Sequence, residues 1–152
     1  INQGEAIPLW NALRDFGSNR QDSFGAPSII GRAYVTPSQV KSCEKDIRRI
    51  LQESQVPFSI LSQPGFGTLL VYIFGGDTFE VFKMTGALNE MRLSVNRLSG
   101  ELTFERLPIQ MKNSIDVWDD IKSNAKSIMN ALSRVYDDRE IINRGRLWYS
   151  LK

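Results

Sequence analysis

Apolar residues recur along this chain with a period that changes four times. Over residues 5–16, "EAIPLWNALRDF", Ile7, Leu9, Trp10, Leu13 and Phe16 are loosely helical in spacing, with Pro8 tolerable in a first turn. Residues 17–28, "GSNRQDSFGAPS", are rich in Gly, Ser and Asn and read as a long mobile loop. "SIIGRAYV" (28–35) is a strand candidate. Thr36 and Pro37 then open a helix in which Val40, Cys43, Ile47, Ile50 and Leu51 form one apolar face, with Gln39 placed as a capping-box partner.

From Pro57 to Pro108 the pattern suggests strands. "FSIL" (58–61), "TLLVYIF" (68–74) and "TFEVFKM" (78–84) are short runs of branched and aromatic residues between Gly and Pro turns. "EMRLSVN" (90–96) alternates with Met91, Leu93 and Val95 on one side, and "ELTFERL" (101–107) does so with Leu102 and Phe104. Leu98-Ser99-Gly100 would join these two runs as a hairpin.

The period returns to helical in the last third. Asn113 or Ser114 is placed to cap a helix whose first turns carry Asp116, Asp119 and Asp120. Trp118, Ile121, Ala125, Ile128, Leu132 and Val135 continue it as a seam with steps of three and four residues. Beyond Asp137-Asp138, residues 139–152 read as a short helix or arm. The expected fold is a single α+β domain over residues 1–152. An antiparallel sheet of about five strands is covered on one face by two main helices, including the long C-terminal one.

Composition removes several chemistries. Nineteen basic residues against 17 acidic ones leave a net charge of +2, too balanced to announce a nucleic-acid or membrane partner. The chain has no histidine, the commonest general base and metal ligand, and its one cysteine, Cys43, excludes an internal disulfide. No apolar run approaches the roughly 20 residues that span a bilayer. The expectation is an intracellular protein with no catalytic residue, no metal site and no cofactor.

Each candidate for chemistry has a plainer explanation. Asp77, Glu80 and Lys83 loosely resemble the carboxylate–lysine grouping of metal-dependent nucleases, but on a strand Glu80 and Lys83 would face opposite sides. Neither "GFG" nor "FGGD" runs into a lysine-bearing helix as a phosphate loop does. A curved sheet gripping the long helix could enclose a small-molecule or lipid cavity, lined by Phe79, Phe82, Met84 and Phe104.

The stretch "PGFGTLLVYIF" (64–74) carries one family likeness. Gly65-Phe66-Gly67 before a hydrophobic strand resembles the third strand of the RNA recognition motif, and Ala33-Tyr34-Val35 is similar to its first. The resemblance covers residues 33–74 and implies single-stranded RNA or DNA bound by Tyr34 and Phe66 with Arg32 nearby. Pro64 stands where that family has Lys or Arg, and Thr68 replaces a second stacking aromatic. The family also requires a helix after this strand, where "GDTFEVFKM" reads as another strand. Six consecutive apolar residues, 69–74, favour a core strand entered through a glycine turn.

The ends of the chain remain. Trp10 and Leu13 near one end, and Arg144, Arg146, Trp148 and Tyr149 near the other, combine large apolar groups with positive charge. Such mixtures anchor protein partners. The function expected from the sequence is a protein-interaction or assembly module that binds a partner or itself through these segments, with single-stranded nucleic-acid binding as the alternative and a small-molecule or lipid carrier as the second.

Overall fold

The computed structural model describes residues 3–14, 27–75, 81–118, 123–139 and 141–142, which fall in two compact units divided after Val117. In the first unit, α1 (Gln3–Arg14) precedes a sequence of β1 (Ile29–Tyr34), α2 (Val40–Glu53), β2 (Phe58–Gln63), β3 (Thr68–Ile73), α3 (Val81–Arg97) and β4 (Glu101–Arg106). All neighbouring strands are antiparallel and lie in the order β2-β3-β1-β4. This βαββαβ order is the ferredoxin-like, split βαβ arrangement.

The α+β class and the antiparallel sheet follow the sequence reading, but the sheet has four strands rather than five. The difference lies in residues 78–96. The expected strand over 90–96 is part of helix α3, and the one over 78–84 has only its last four residues, 81–84, among those described, also in α3. Met84, Ala87, Leu88, Met91, Ser94 and Val95 are buried at helical spacing. Leu93, which completed the apparent alternation, is 58% exposed, and Phe82 is 92% exposed. Two solvent-facing apolar residues therefore imitated a period of two. Leu98-Ser99-Gly100 is not a hairpin but the end of α3, where Ser99 adopts φ 56° and the Gly100 amide returns to the Val95 carbonyl at 3.1 Å.

Helices α2 and α3 pack together over one sheet face. Alternation on each strand sends Ile29, Ala33, Leu69, Val71, Ile73, Leu102 and Phe104 into that layer, where they join Cys43, Ile47, Ile50, Leu51, Leu88 and Met91. An aliphatic side chain so buried contributes about 1.5–3 kcal/mol. β3 is the central core strand that its six apolar residues suggest. A short 3-10 turn, Pro37–Gln39, stands between Thr36 and α2, so the capping pair forms between side chains, with the Thr36 hydroxyl donating to Gln39 Oε1 at 2.7 Å. Arg49 links the two covering helices by donating to Glu53 on α2 and Glu90 on α3.

The end of β1 is seated between two turns. The Val35 amide donates to the Gly67 carbonyl at 2.9 Å. A Cβ at Gly67, which also has φ +66°, would collide with the Val35 carbonyl oxygen, and one at Gly100 with the Tyr34 carbonyl and the Val35 side chain. Both edges of the sheet are also defined. Beside β4, Phe104 donates outward to Val117 at 2.9 Å. On the other side, Phe74 donates to Pro57 at 2.9 Å, which fixes which β2 residues bond to β3.

The second unit contains α4 (Ser123–Tyr136). The helix expected from Asn113 or Ser114 does not begin there. Residues 109–111 form a 3-10 turn and 112–114 a further turn. After α4, the Asp137 carboxylate accepts from the Ile141 and Ile142 amides at 2.8 and 2.9 Å. Within the first unit α2 and α3 are the helices on the sheet, and within the second Ile128, Leu132 and Val135 of α4 are exposed. Most of the expected loop over 17–28, and residues 143–152 of the expected arm, lie outside the described residues.

Candidate functional site

Three surfaces carry the residues singled out by the sequence. The first is α1, which places Trp10 at 69% exposure and leaves Ile7 and Leu9 exposed as well. Leu13 belongs to the same helix, but its side chain is not among those described. The second is α4. Its exposed apolar residues are Ile128, Met129, Leu132, Val135 and Tyr136, at positions i, i+1, i+4, i+7 and i+8. This spacing gathers them on one helix face. Met129 and Tyr136 were absent from the sequence reading, which followed a single seam and not the residues beside it. Arg144, Arg146, Trp148 and Tyr149 lie outside the described residues.

The third surface is the sheet face turned away from α2 and α3. Ile30, Arg32 and Tyr34 of β1 share it with Leu70 and Tyr72 of β3, Leu61 of β2 and Glu105 of β4. Phe66 does not stand on β3. It occupies the 3-10 turn Pro64–Phe66 before the strand, 84% exposed, and Tyr34 is exposed at the neighbouring end of β1. The structure thus brings Tyr34 and the turn carrying Phe66 to one end of the sheet, through the bond between Val35 and Gly67.

Charge on this face is balanced within it. Arg32 donates through Nε to Glu105, and that carboxylate holds the guanidinium more firmly protonated against a smaller desolvation effect. Tyr72 is only 7% exposed, and burial, with the Glu105 charge adding, raises its hydroxyl pKa. Arg106 is turned to the Pro27 carbonyl at 2.9 Å.

Comparison with protein-family models, curated proteins and solved structures finds no match. After β3, where a further strand was expected, the described residues from Val81 form helix α3.

The other candidates are placed as follows. Cys43 is buried on α2, and burial pushes its thiol up to about 11, so it is a packing residue. Glu44, beside it in sequence, accepts from Arg48 at 2.8 Å and from Ser62 at 2.7 Å, and these bonds hold its carboxyl below the ordinary glutamate value. Asp77, Phe79 and Glu80 lie outside the described residues, and Lys83 is on α3. Of the residues expected to line a cavity, Met84 and Phe104 belong to the packed core and Phe82 points into solvent. Among the described residues no three acidic or cysteine side chains cluster as a metal site, and no helix is long and apolar enough to cross a membrane.

Proposed function

We propose that this chain is a non-catalytic interaction and assembly module, docking on a protein partner through the apolar faces of its terminal helices. The observation that carries the reading is the exposed face of α4, where five large apolar side chains line one side of a 14-residue helix. Amphipathic helices with such faces bind in hydrophobic grooves of partners, anchored at spacings of three and four residues. Trp10 on α1 supplies a second anchor of the type that dominates interface energies. Arg144, Arg146, Trp148 and Tyr149 extend the same chemistry along the chain beyond α4.

The test is the pair Ile128→Asp and Leu132→Asp. Both side chains are exposed, so the expected change in folding stability is within about 0.5 kcal/mol. Capture of partner proteins from a lysate of the native host should fall to background. A stability loss of about 2 kcal/mol or more would show the face to be interior and end the proposal.

The order of strands and helices favours a second reading, binding of single-stranded nucleic acid at the end of the sheet carrying Tyr34 and Phe66. It predicts affinity on the order of micromolar that weakens steeply with salt. Phe66→Ala should weaken that binding and leave stability unchanged. Binding indifferent to both salt and Phe66 rejects this reading.

A further inference from the structure

We infer that the outer edge of β2, unpaired among the described residues, joins the same edge of a second copy of this chain, about a twofold axis through Ile60, making two sheets into one of eight strands. The inference stands on the strand edge alone and holds whether or not the helix faces bind a partner.

The first ground is backbone accounting. Because Phe74 donates to Pro57, the residues of β2 that bond to β3 are Ser59, Leu61 and Gln63. The peptide groups of Phe58, Ile60 and Ser62 therefore point away from the sheet. Among the described residues no backbone bond of another segment reaches them, whereas the opposite edge is met by Val117. An edge of this kind is usually blunted by lysine, an internal proline or a bulge. β2, "FSILSQ", has no charge, no internal proline and an unbroken register with β3.

The second ground is self-complementarity. Pairing about Ile60 sets Phe58 opposite Ser62 of the second copy, Ile60 opposite Ile60, and Ser62 opposite Phe58. The three outward residues of each copy then satisfy one another, in closely spaced antiparallel pairs. A twofold through Leu61 instead would bring Phe58 opposite Pro64, which has no N–H to give. Pro57 and Pro64 bracket the strand and oppose a slip in register.

The third ground is charge. Arg48 on α2 lies over the Phe58 ring, 5.8 Å from its centroid, and Glu44 on the same helix accepts from Ser62 at 2.7 Å. Arg48 and Glu44 pair with each other in each copy at 2.8 Å, and since Phe58 of one copy faces Ser62 of the other, the axis sets the two pairs side by side in opposite sense. The two α2 helices thus approach with opposite charges aligned. A second copy is the occupant that meets all three conditions.

Sedimentation equilibrium on the full chain, with a concentration series, tests the inference through two double variants. The expected species is a dimer of twice 17.3 kDa. On the face away from the helices this register places Ser59 opposite Leu61 of the second copy. Ser59→Lys with Leu61→Lys sets like charges opposite one another twice and should weaken dimerisation about tenfold or more. Ser59→Lys with Leu61→Glu sets opposite charges in the same places and should return most of the affinity. The second variant separates loss of pairing from loss of fold. Amide exchange on the unaltered chain adds an independent reading: Phe58, Ile60 and Ser62 should exchange more slowly at dimer-forming concentrations. A monomer at all concentrations overturns the inference. So does a dimer that both double variants leave intact, or one that Ile128→Asp alone dissociates.

Discussion

Met91 and Leu93 distinguish the helix from the strand that their sequence imitates. On a strand they would share one face, and their truncation would cost similar amounts. In α3 they part company, Met91 fully buried in the core and Leu93 58% exposed. Met91→Ala removes a side chain that touches the sheet-facing cluster, and large-to-small changes at such sites cost about 2–5 kcal/mol. Leu93→Ala loses little buried area and gains slightly in helix propensity, so its effect should stay within about 0.5 kcal/mol. Urea unfolding followed by circular dichroism reads both. With a slope of about 2 kcal/mol/M, Met91→Ala should lower the midpoint by about 1–2.5 M and Leu93→Ala should leave it in place. Equal losses from the two variants would refute the helical assignment and restore the strand.

Two further outcomes follow from local geometry. Gly67→Ala must place a side chain against the Val35 carbonyl at positive φ and should cost about 2 kcal/mol or more, whereas Gly65→Ala, with open space around its Cβ, should be near neutral by the same unfolding assay. Glu44 has a depressed carboxyl pKa in the folded state, so its bonds to Arg48 and Ser62 stabilise the fold above the ordinary glutamate range and cease to do so as pH falls through the depressed value. The stability gap between the native chain and Glu44→Gln should therefore be present at pH 7 and close under acid, and a gap that widens on acidification would contradict the assignment.

Where one period ran unopposed, the sequence was readable. α2 carries five buried residues on one stripe, and β4 alternates buried Leu102 and Phe104 with half-buried or exposed neighbours. β3 announced itself by a run too apolar for any surface. α3 was misread because its buried stripe includes Ala87 and Ser94, which carry little hydrophobic signal, while Phe82 and Leu93 carry much and face solvent. That misreading also concealed the split βαβ order, since the arrangement is recognisable only with both helices in place. Of the candidate surface, Trp10, Tyr34 and Phe66 were found as single residues. The α4 face was expected to cover the sheet, and amphipathic spacing by itself does not say which surface an apolar side meets. The edge of β2 left no trace in composition at all, for it consists of peptide groups.

The seat of Val35 bears on how this sheet comes apart. Residues 35, 67 and 100 arrive from the end of β1, the β2–β3 turn and the end of α3, so no short stretch of chain can build that junction alone. The amide of Val35 is held by Gly67 while Gly100 packs against the Val35 side chain, so its exchange rate reports on the junction where these segments meet at the end of β1.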